Sequence, residues 1–185
     1  MAAASSPRPQ PSPWRENLES LLWAVAVALV IRTFIVAPFK IPSGSMRPTL
    51  IEGDRILVGK FIYRFHEPAR GDIIVFRYPL DPKRPFIKRL VGLGGDHVEL
   101  RDGKIVVNGR VLNDLAIFQT NYYLNEGMYA QPGQGIDVPP GQLFVLGDNP
   151  GSSHDSRFWG FVPRRLVIGR AVCIFWPFTR WRVLQ

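Results

Sequence analysis

One cysteine in 185 residues, Cys173, excludes a disulfide framework within the chain. Histidine is scarce: His66, His97 and His154 are all there are, and they stand in no recognisable catalytic spacing. Nothing resembles a helix-turn-helix, a zinc finger or a basic helix, so the motifs that read nucleic acid are missing. Internal repeats are missing too. Negative charge is in short supply, with 15 acidic residues against 23 lysines and arginines, a net charge of +8 and a pI near 10.1. That balance calls for an anionic neighbour. With nucleic-acid motifs absent, acidic lipid headgroups fit it best. Long apolar runs are lacking except for one.

What is present is enough for one domain of ordinary size. Apolar residues make up 46% of the chain, which allows a packed interior without disulfides. Residues 1–17 open on Ala, Ser, Pro, Arg and Gln, a composition that reads as a disordered tail. The exceptional apolar run follows, unbroken from Leu21 to Ile31. Twenty helical residues span about 30 Å, the hydrocarbon thickness, so residues 18–38 are expected to form a membrane anchor. Arg32 would snorkel towards headgroups. A buried soluble helix and a cleaved secretory signal are the competing readings; Pro38 after Ala37 would block the only cleavage site. Arg8 and Arg15 are offset by Glu16 and Glu19, and Arg32, Lys40 and Arg47 lie on the other side. Charge therefore leaves the orientation open.

Beyond residue 38 the pattern is mainly β. Arg55–Val58, Asp72–Phe76, Gln142–Leu146 and Leu166–Phe175 are strand-like runs. His97–Leu112 alternates around the turn signals Asp102-Gly103 and Asn108-Gly109. Residues 113–138 read as a long loop or hairpin insertion. At the C-terminus Phe175, Trp176, Phe178 and Trp181 interleave with Arg180 and Arg182. Either this is a core strand with a basic edge, or an interfacial patch in which Trp and Arg meet headgroups.

Three segments carry candidate chemistry. Pro42-Ser43-Gly44-Ser45-Met46 is a turn placed just after the apolar run. A serine there needs a base within hydrogen-bond reach before it can attack anything. A histidine could serve, since triads are defined in space and not by spacing. A lysine is the other option. Lys88 sits in the run Phe86–Gly92 and by strand alternation shares a face with Phe86 and Leu90. If that face is inward, burial disfavours the ammonium. A fall of roughly two or three units leaves a useful fraction of neutral amine near pH 7–8. The third segment, Gly147–Arg157, is polar and turn-rich, and could supply hydroxyls and ion pairs.

In this order, the segments resemble the type I signal peptidases, the membrane-bound Ser-Lys proteases of peptidase family S26. The resemblance runs from about Glu19 to the C-terminus. Its blocks are Pro42–Met46 with Pro48-Thr49-Leu50; Gly53-Asp54 and the strand after it; Lys88-Arg89 with Gly95-Asp96; and Gly147-Asp148-Asn149 with Ser153, Asp155-Ser156-Arg157 and Trp159-Gly160. It implies Ser45 as nucleophile and Lys88 as general base. Ser153 would orient the lysine. The Ser45 N–H and the Ser43 hydroxyl would form the oxyanion hole. Asp148 with Arg89, and Asp155 with Arg157, would be structural pairs. Phe39, Ile41, Met46, Leu50 and Ile87 would line the substrate pockets.

The implied fold is an N-terminal transmembrane helix followed by a β-barrel-like catalytic domain over residues 39–185, with a reduced second β-subdomain. The implied reaction is cleavage of signal peptides after small residues, of Ala-X-Ala type, with neither cofactor nor metal. Implied partners are preprotein signal peptides, membrane lipids and, transiently, the export machinery, with no nucleic acid. The chain would be a single-pass protein of the cell membrane, its catalytic domain extracytoplasmic. Two departures stand out: Leu93-Gly94-Gly95-Asp96 where the family usually has Leu-Pro-Gly-Asp, and Pro150-Gly151-Ser152 in place of a more polar stretch. Two other readings fit parts of the pattern. A soluble Ser-Lys self-cleaving regulator would need an Ala-Gly or Cys-Gly dipeptide, and the chain has neither. A non-catalytic membrane-anchored β-module would leave Ser45 inert.

Overall fold

A computed structural model describes residues 13–30, 36–124, 127–131 and 133–184. Their elements, in chain order, are α1 (Pro13–Val30), β1 (Val36–Lys40), β2 (Arg55–Gly59), α2 (Ile62–Phe65), β3 (Ile73–Tyr78), β4 (Asp81–Leu93), β5 (His97–Arg101), β6 (Lys104–Val107), β7 (Arg110–Val111), α3 (Ala116–Thr120), β8 (Ile136–Asp137), β9 (Gln142–Leu146), α4 (Ser156–Trp159), β10 (Val162–Pro163), β11 (Val167–Trp176) and β12 (Arg182–Val183). The chain divides into two units, Met1–Ile35 and Val36–Gln185.

In the first unit, helix α1 starts earlier than the composition suggests. The tail expected over 1–17 is already helical from Pro13, because proline's fixed φ suits the first helical position. Arg15, Glu16 and Glu19 thereby join the helix. Among the described residues no helix is long and apolar enough to cross a membrane. The expected anchor also ends sooner than residue 38: Val36, Ala37 and Pro38 pair with Gly59, Val58 and Leu57 in β2. Arg32 and the rest of 31–35, like residues 1–12, lie outside the described residues.

The second unit is built from antiparallel strands. The larger sheet runs β1-β2-β11-β3-β4-β9-β10, with β12 added to β11. Its end strands do not pair with each other, so the barrel-like closure expected is not formed; the sheet is open. Pro163 ends the two-residue β10 and Pro38 sits in β1; a proline lacks one ladder donor and is tolerated on edge strands. The smaller sheet runs β7-β6-β5-β8. Asp102 and Gly103 (φ 50° and 72°), then Asn108 and Gly109 (φ 52° and 79°), make its two tight turns. Left-handed residues at both turn positions match the twist of the flanking strands. The irregular segment expected over 113–138 contains the short α3 and β8.

Each sheet has its own core. Val98, Leu100, Ile105 and Val107 of the small sheet pack with Val91, Phe118 and Phe144. Under the large sheet, Ile41, Met46, Leu50, Ile56, Val58 and Ile73 form one cluster. Ile74, Phe76, Leu90, Val145, Trp159 and Val162 form another. Gly94 marks the crossing from β4 to the small sheet. A Cβ there would lie 3.0 Å from Gly141 N and 3.1 Å from Pro139 O. The backbone of 139–141 thus closes over the position where the family usually carries proline.

Candidate active site

Ser45 is held by its neighbours on both sides. Gly44–Met46 make a single 3-10 turn. Met46 and Leu50 are fully buried and bond to each other through Leu50 N–H and Met46 O at 2.8 Å, which pins the turn to the core. From the other side Asn149 donates its backbone N–H to Ser45 O (3.1 Å) and its Nδ2 to Gly44 O (3.0 Å). Backbone N–H groups in a first turn have no acceptor inside the helix, and the Ser45 N–H occupies such a position. The Ser43 hydroxyl stands 3.5 Å from Ser45 Oγ.

Strand β4 delivers the base. Lys88 lies opposite Ile74 of β3. Its Nζ is 2.7 Å from Ser45 Oγ, and the residue is 4% exposed. The ammonium lies 5.6 Å from the centre of the Phe86 ring, the neighbour on its own face. Burial pushes the lysine down from 10.5 to about 8, against the opposing pull of the Asp155 and Asp148 charges. Those carboxylates are committed elsewhere. Asp148 takes Arg89 Nε and Nη2 in a two-pronged pair at 2.8 and 2.7 Å. Asp155 takes Arg157 Nε and Nη2 at 2.8 and 3.0 Å.

The two pairs do more than neutralise each other. Arg89 Nη1 reaches Gly71 O at 2.7 Å. Arg157 donates to Leu124 O, Pro150 O and Ser153 O. Asp155 caps α4 by accepting from Arg157 N–H and also accepts from Gly147 N–H at 3.0 Å. The loop 147–157 is thereby tied to the end of β9. The stretch Pro150-Gly151-Ser152 forms a 3-10 turn within it. Gly147 backs directly onto the nucleophile: a Cβ there would lie 2.5 Å from Ser45 O and 2.1 Å from Ser153 Oγ.

Ser153 is buried at this spot, 6% exposed, but its hydroxyl has no hydrogen-bond partner among the described residues. The contact to Lys88 implied for it is therefore not made here. Ser45 and Lys88 meet here, with the Arg89–Asp148 and Arg157–Asp155 pairs beside them. The histidines go elsewhere. His97 pairs with Asp137, and His66 ends α2, exposed. His154 faces Tyr78 OH at 3.4 Å and stacks on Phe158.

A cleft of about 580 Å³ opens over Ser43, Ser45 and Lys88. Beside it Phe39, Lys40, Ile41, Pro42, Ile56, Val75 and Pro85–Ile87 line a small, mostly apolar hollow of about 60 Å³. Three of the five implied pocket residues, Phe39, Ile41 and Ile87, line that hollow. Met46 and Leu50 line neither space; both are core side chains with no exposed surface, on either side of the tight turn that follows Ser45. Lys83, Arg84 and Ser152, which line the cleft, carried no signal beyond being polar and turn-flanking. Among the described residues no group of His, Cys, Asp and Glu is arranged to hold a metal ion.

Known proteins share this chain's sequence along most of its length. The family model for signal peptidase, peptidase S26, matches residues 14–176. A probable signal peptidase I-1 from Synechocystis sp. is 43% identical over 94% of this chain and 89% of its own length. Signal peptidase I of Leptolyngbya laminosa is 42% identical over 96% and 87%. Thylakoidal processing peptidase 1 of Arabidopsis thaliana, a chloroplast protein, is 37% identical over 88% of this chain and 48% of its own length. The matched span takes in the Ser45 turn, β4 and the 147–157 loop, and the chain belongs to the signal peptidase family, peptidase S26.

Proposed function

We propose that this chain is a type I signal peptidase that cleaves signal peptides from preproteins with Ser45 and Lys88 as its catalytic pair. The observation that carries the reading is the 2.7 Å contact between Ser45 Oγ and a lysine Nζ that burial has made a weaker base than usual. In its neutral form the Lys88 amine accepts the Ser45 hydroxyl proton as Oγ attacks the scissile carbonyl. The oxyanion that forms takes hydrogen bonds from the Ser45 N–H and, after rotation about its Cα–Cβ bond, the Ser43 hydroxyl. One such donor stabilises the transition state by about 3–4 kcal/mol. The Lys88 ammonium then gives its proton to the leaving amine, which departs and leaves an ester on Ser45. A water attacks that ester while Lys88 again takes the proton, and Ser45 is regenerated. Ser153, whose buried hydroxyl has no partner among the described residues, is the group that would steady Lys88 during these transfers.

Substrate geometry follows from two free strand edges. Among the described strands β1 pairs only with β2. On its β9 side, β4 is paired only from Arg89 onward. An extended peptide adds between such edges through main-chain hydrogen bonds. Alternate side chains then face the hollow lined by Phe39, Ile41 and Ile87, whose volume of about 60 Å³ suits a side chain of alanine size. That supports cleavage after small residues of Ala-X-Ala type.

Attachment to a membrane, with the catalytic unit extracytoplasmic and α1 as part of a single-pass anchor, belongs to the same reading. Leu21, Leu22, Trp23, Val25, Val27 and Leu29 of α1 are all exposed. Trp176, Phe178 and Trp181 are also exposed rather than core, and such residues favour the headgroup region. The decisive test is cleavage of a preprotein with an Ala-X-Ala site. Ser45→Ala and Lys88→Ala should each lower turnover by at least about 10⁴-fold while leaving the melting transition cooperative. Wild-type turnover in Lys88→Ala would remove the lysine from the mechanism.

A further inference from the structure

Among the described residues the cleft over Ser45 is lined by basic side chains and by no carboxylate. Lys83 and Arg84 stand on its rim, exposed at the start of β4; His154 lines it as well, and Lys88 lies at its base. Neither Lys83 nor Arg84 forms an ion pair among the described residues. The nearest acid in sequence, Asp81, accepts the Lys83 backbone N–H at 3.3 Å and does not line the cleft. The carboxylates around the site, Asp148 and Asp155, are buried and neutralised by their arginines. A peptide entering the cleft therefore meets a field of one sign.

We infer that Lys83 and Arg84 form a charge-selective rim that favours substrates with an acidic side chain beside the scissile bond and disfavours basic ones. This rests on the peptidase reading above and adds a specificity to it. The hollow, at about 60 Å³, holds no more than a side chain of alanine size, so the acid does not sit in the pockets for small residues. An extended chain alternates its side chains, so the acid belongs either at the second residue before the cut or among the first residues after it. Exposed ion pairs of this kind each change binding by up to about fivefold and are screened by salt. The rim acts on encounter and on binding, not on the chemistry at Ser45.

The test uses peptides with an Ala-X-Ala site that carry Asp, Asn or Lys at either of those two positions, and reads kcat/KM for each. The wild type should rank Asp over Asn over Lys at one position at least, with an Asp-to-Lys ratio of about tenfold at low ionic strength that shrinks towards one in about 1 M salt. Lys83→Ala/Arg84→Ala should bring the ratio close to one, and Lys83→Glu/Arg84→Glu should invert it. Arg55→Glu/Arg165→Glu, which alters net charge by the same amount at exposed sites away from the cleft lining, should keep the wild-type ratio. Cleavage of the Asn peptides with no charge preference would overturn the rim alone. So would a preference that survives Lys83→Glu/Arg84→Glu, or one that shifts equally in the Arg55/Arg165 variant. No cleavage of any peptide by the wild type would overturn the peptidase reading and the rim with it.

Discussion

Lys88 and Arg89 are consecutive on β4 and similarly buried, at 4% and 3% exposed, yet the two faces of the strand treat their charges in opposite ways. On one face Arg89 meets Asp148 in a two-pronged pair and the carbonyl of Gly71. On the other, Lys88 meets a serine hydroxyl and the ring of Phe86. A guanidinium stays charged in proteins, so a buried one needs its carboxylate. An amine can answer burial by giving up its proton instead. The Arg89 face builds structure, while the Lys88 face leaves an amine that gives up its proton closer to neutral pH and is then free to act as a base.

Several substitutions break or sharpen that contrast. The largest effect is expected at Asp148→Ala, which takes the paired carboxylate away from the buried Arg89 guanidinium. Denaturant unfolding should show a loss of about 3–5 kcal/mol; a loss under about 1 kcal/mol would mean that the pair is not holding the Arg89 face together. Lys88→Met should act in the other direction. The folded lysine titrates at about 8 against 10.5, so the unfolded state binds the extra proton between those values and wild-type stability rises with pH across that window. Below about pH 8 the full cost of holding the ammonium is present, up to about 3 kcal/mol. Lys88→Met should therefore be more stable than wild type at pH 7, by an amount that shrinks as the pH approaches 10.5. Equal stabilities at pH 7 would put the cost of burial elsewhere. The smallest effect is expected at Ser153→Ala. Its hydroxyl is buried and unpaired, so its removal should raise stability by about 1 kcal/mol. If the hydroxyl steadies Lys88 during turnover, kcat should fall at the same time. A loss of stability instead would mean that the hydroxyl has a partner in solution.

The contrast was half visible in the amino-acid order. Alternation along Phe86–Leu90 put Lys88 and Arg89 on opposite faces, and the runs at Arg55, Asp72, Gln142 and Leu166 became β2, β3, β9 and β11. The Asp-Gly and Asn-Gly turns could be read from local rules alone, because only their own φ angles matter. The meeting of Ser45 with Lys88 could not, since 43 residues separate them and no local rule spans that distance. It came through the resemblance, as did the pairing of Arg89 with Asp148 across 59 residues. Met46 and Leu50 were misplaced because an apolar residue beside a nucleophile can line a pocket or fill the core, and only packing decides. They anchor the turn from beneath. The early start of α1 did have a signal, Pro13 at its first position, which the low-complexity composition around it obscured.

The most direct test of the account is the pH dependence of kcat/KM for a peptide with an Ala-X-Ala site. A neutral Lys88 acting as base predicts a rate that rises with pH through about 8, unchanged in form by His154→Ala. A rising limb near about 6.5, the ordinary range of an imidazole, that disappeared in His154→Ala would contradict it.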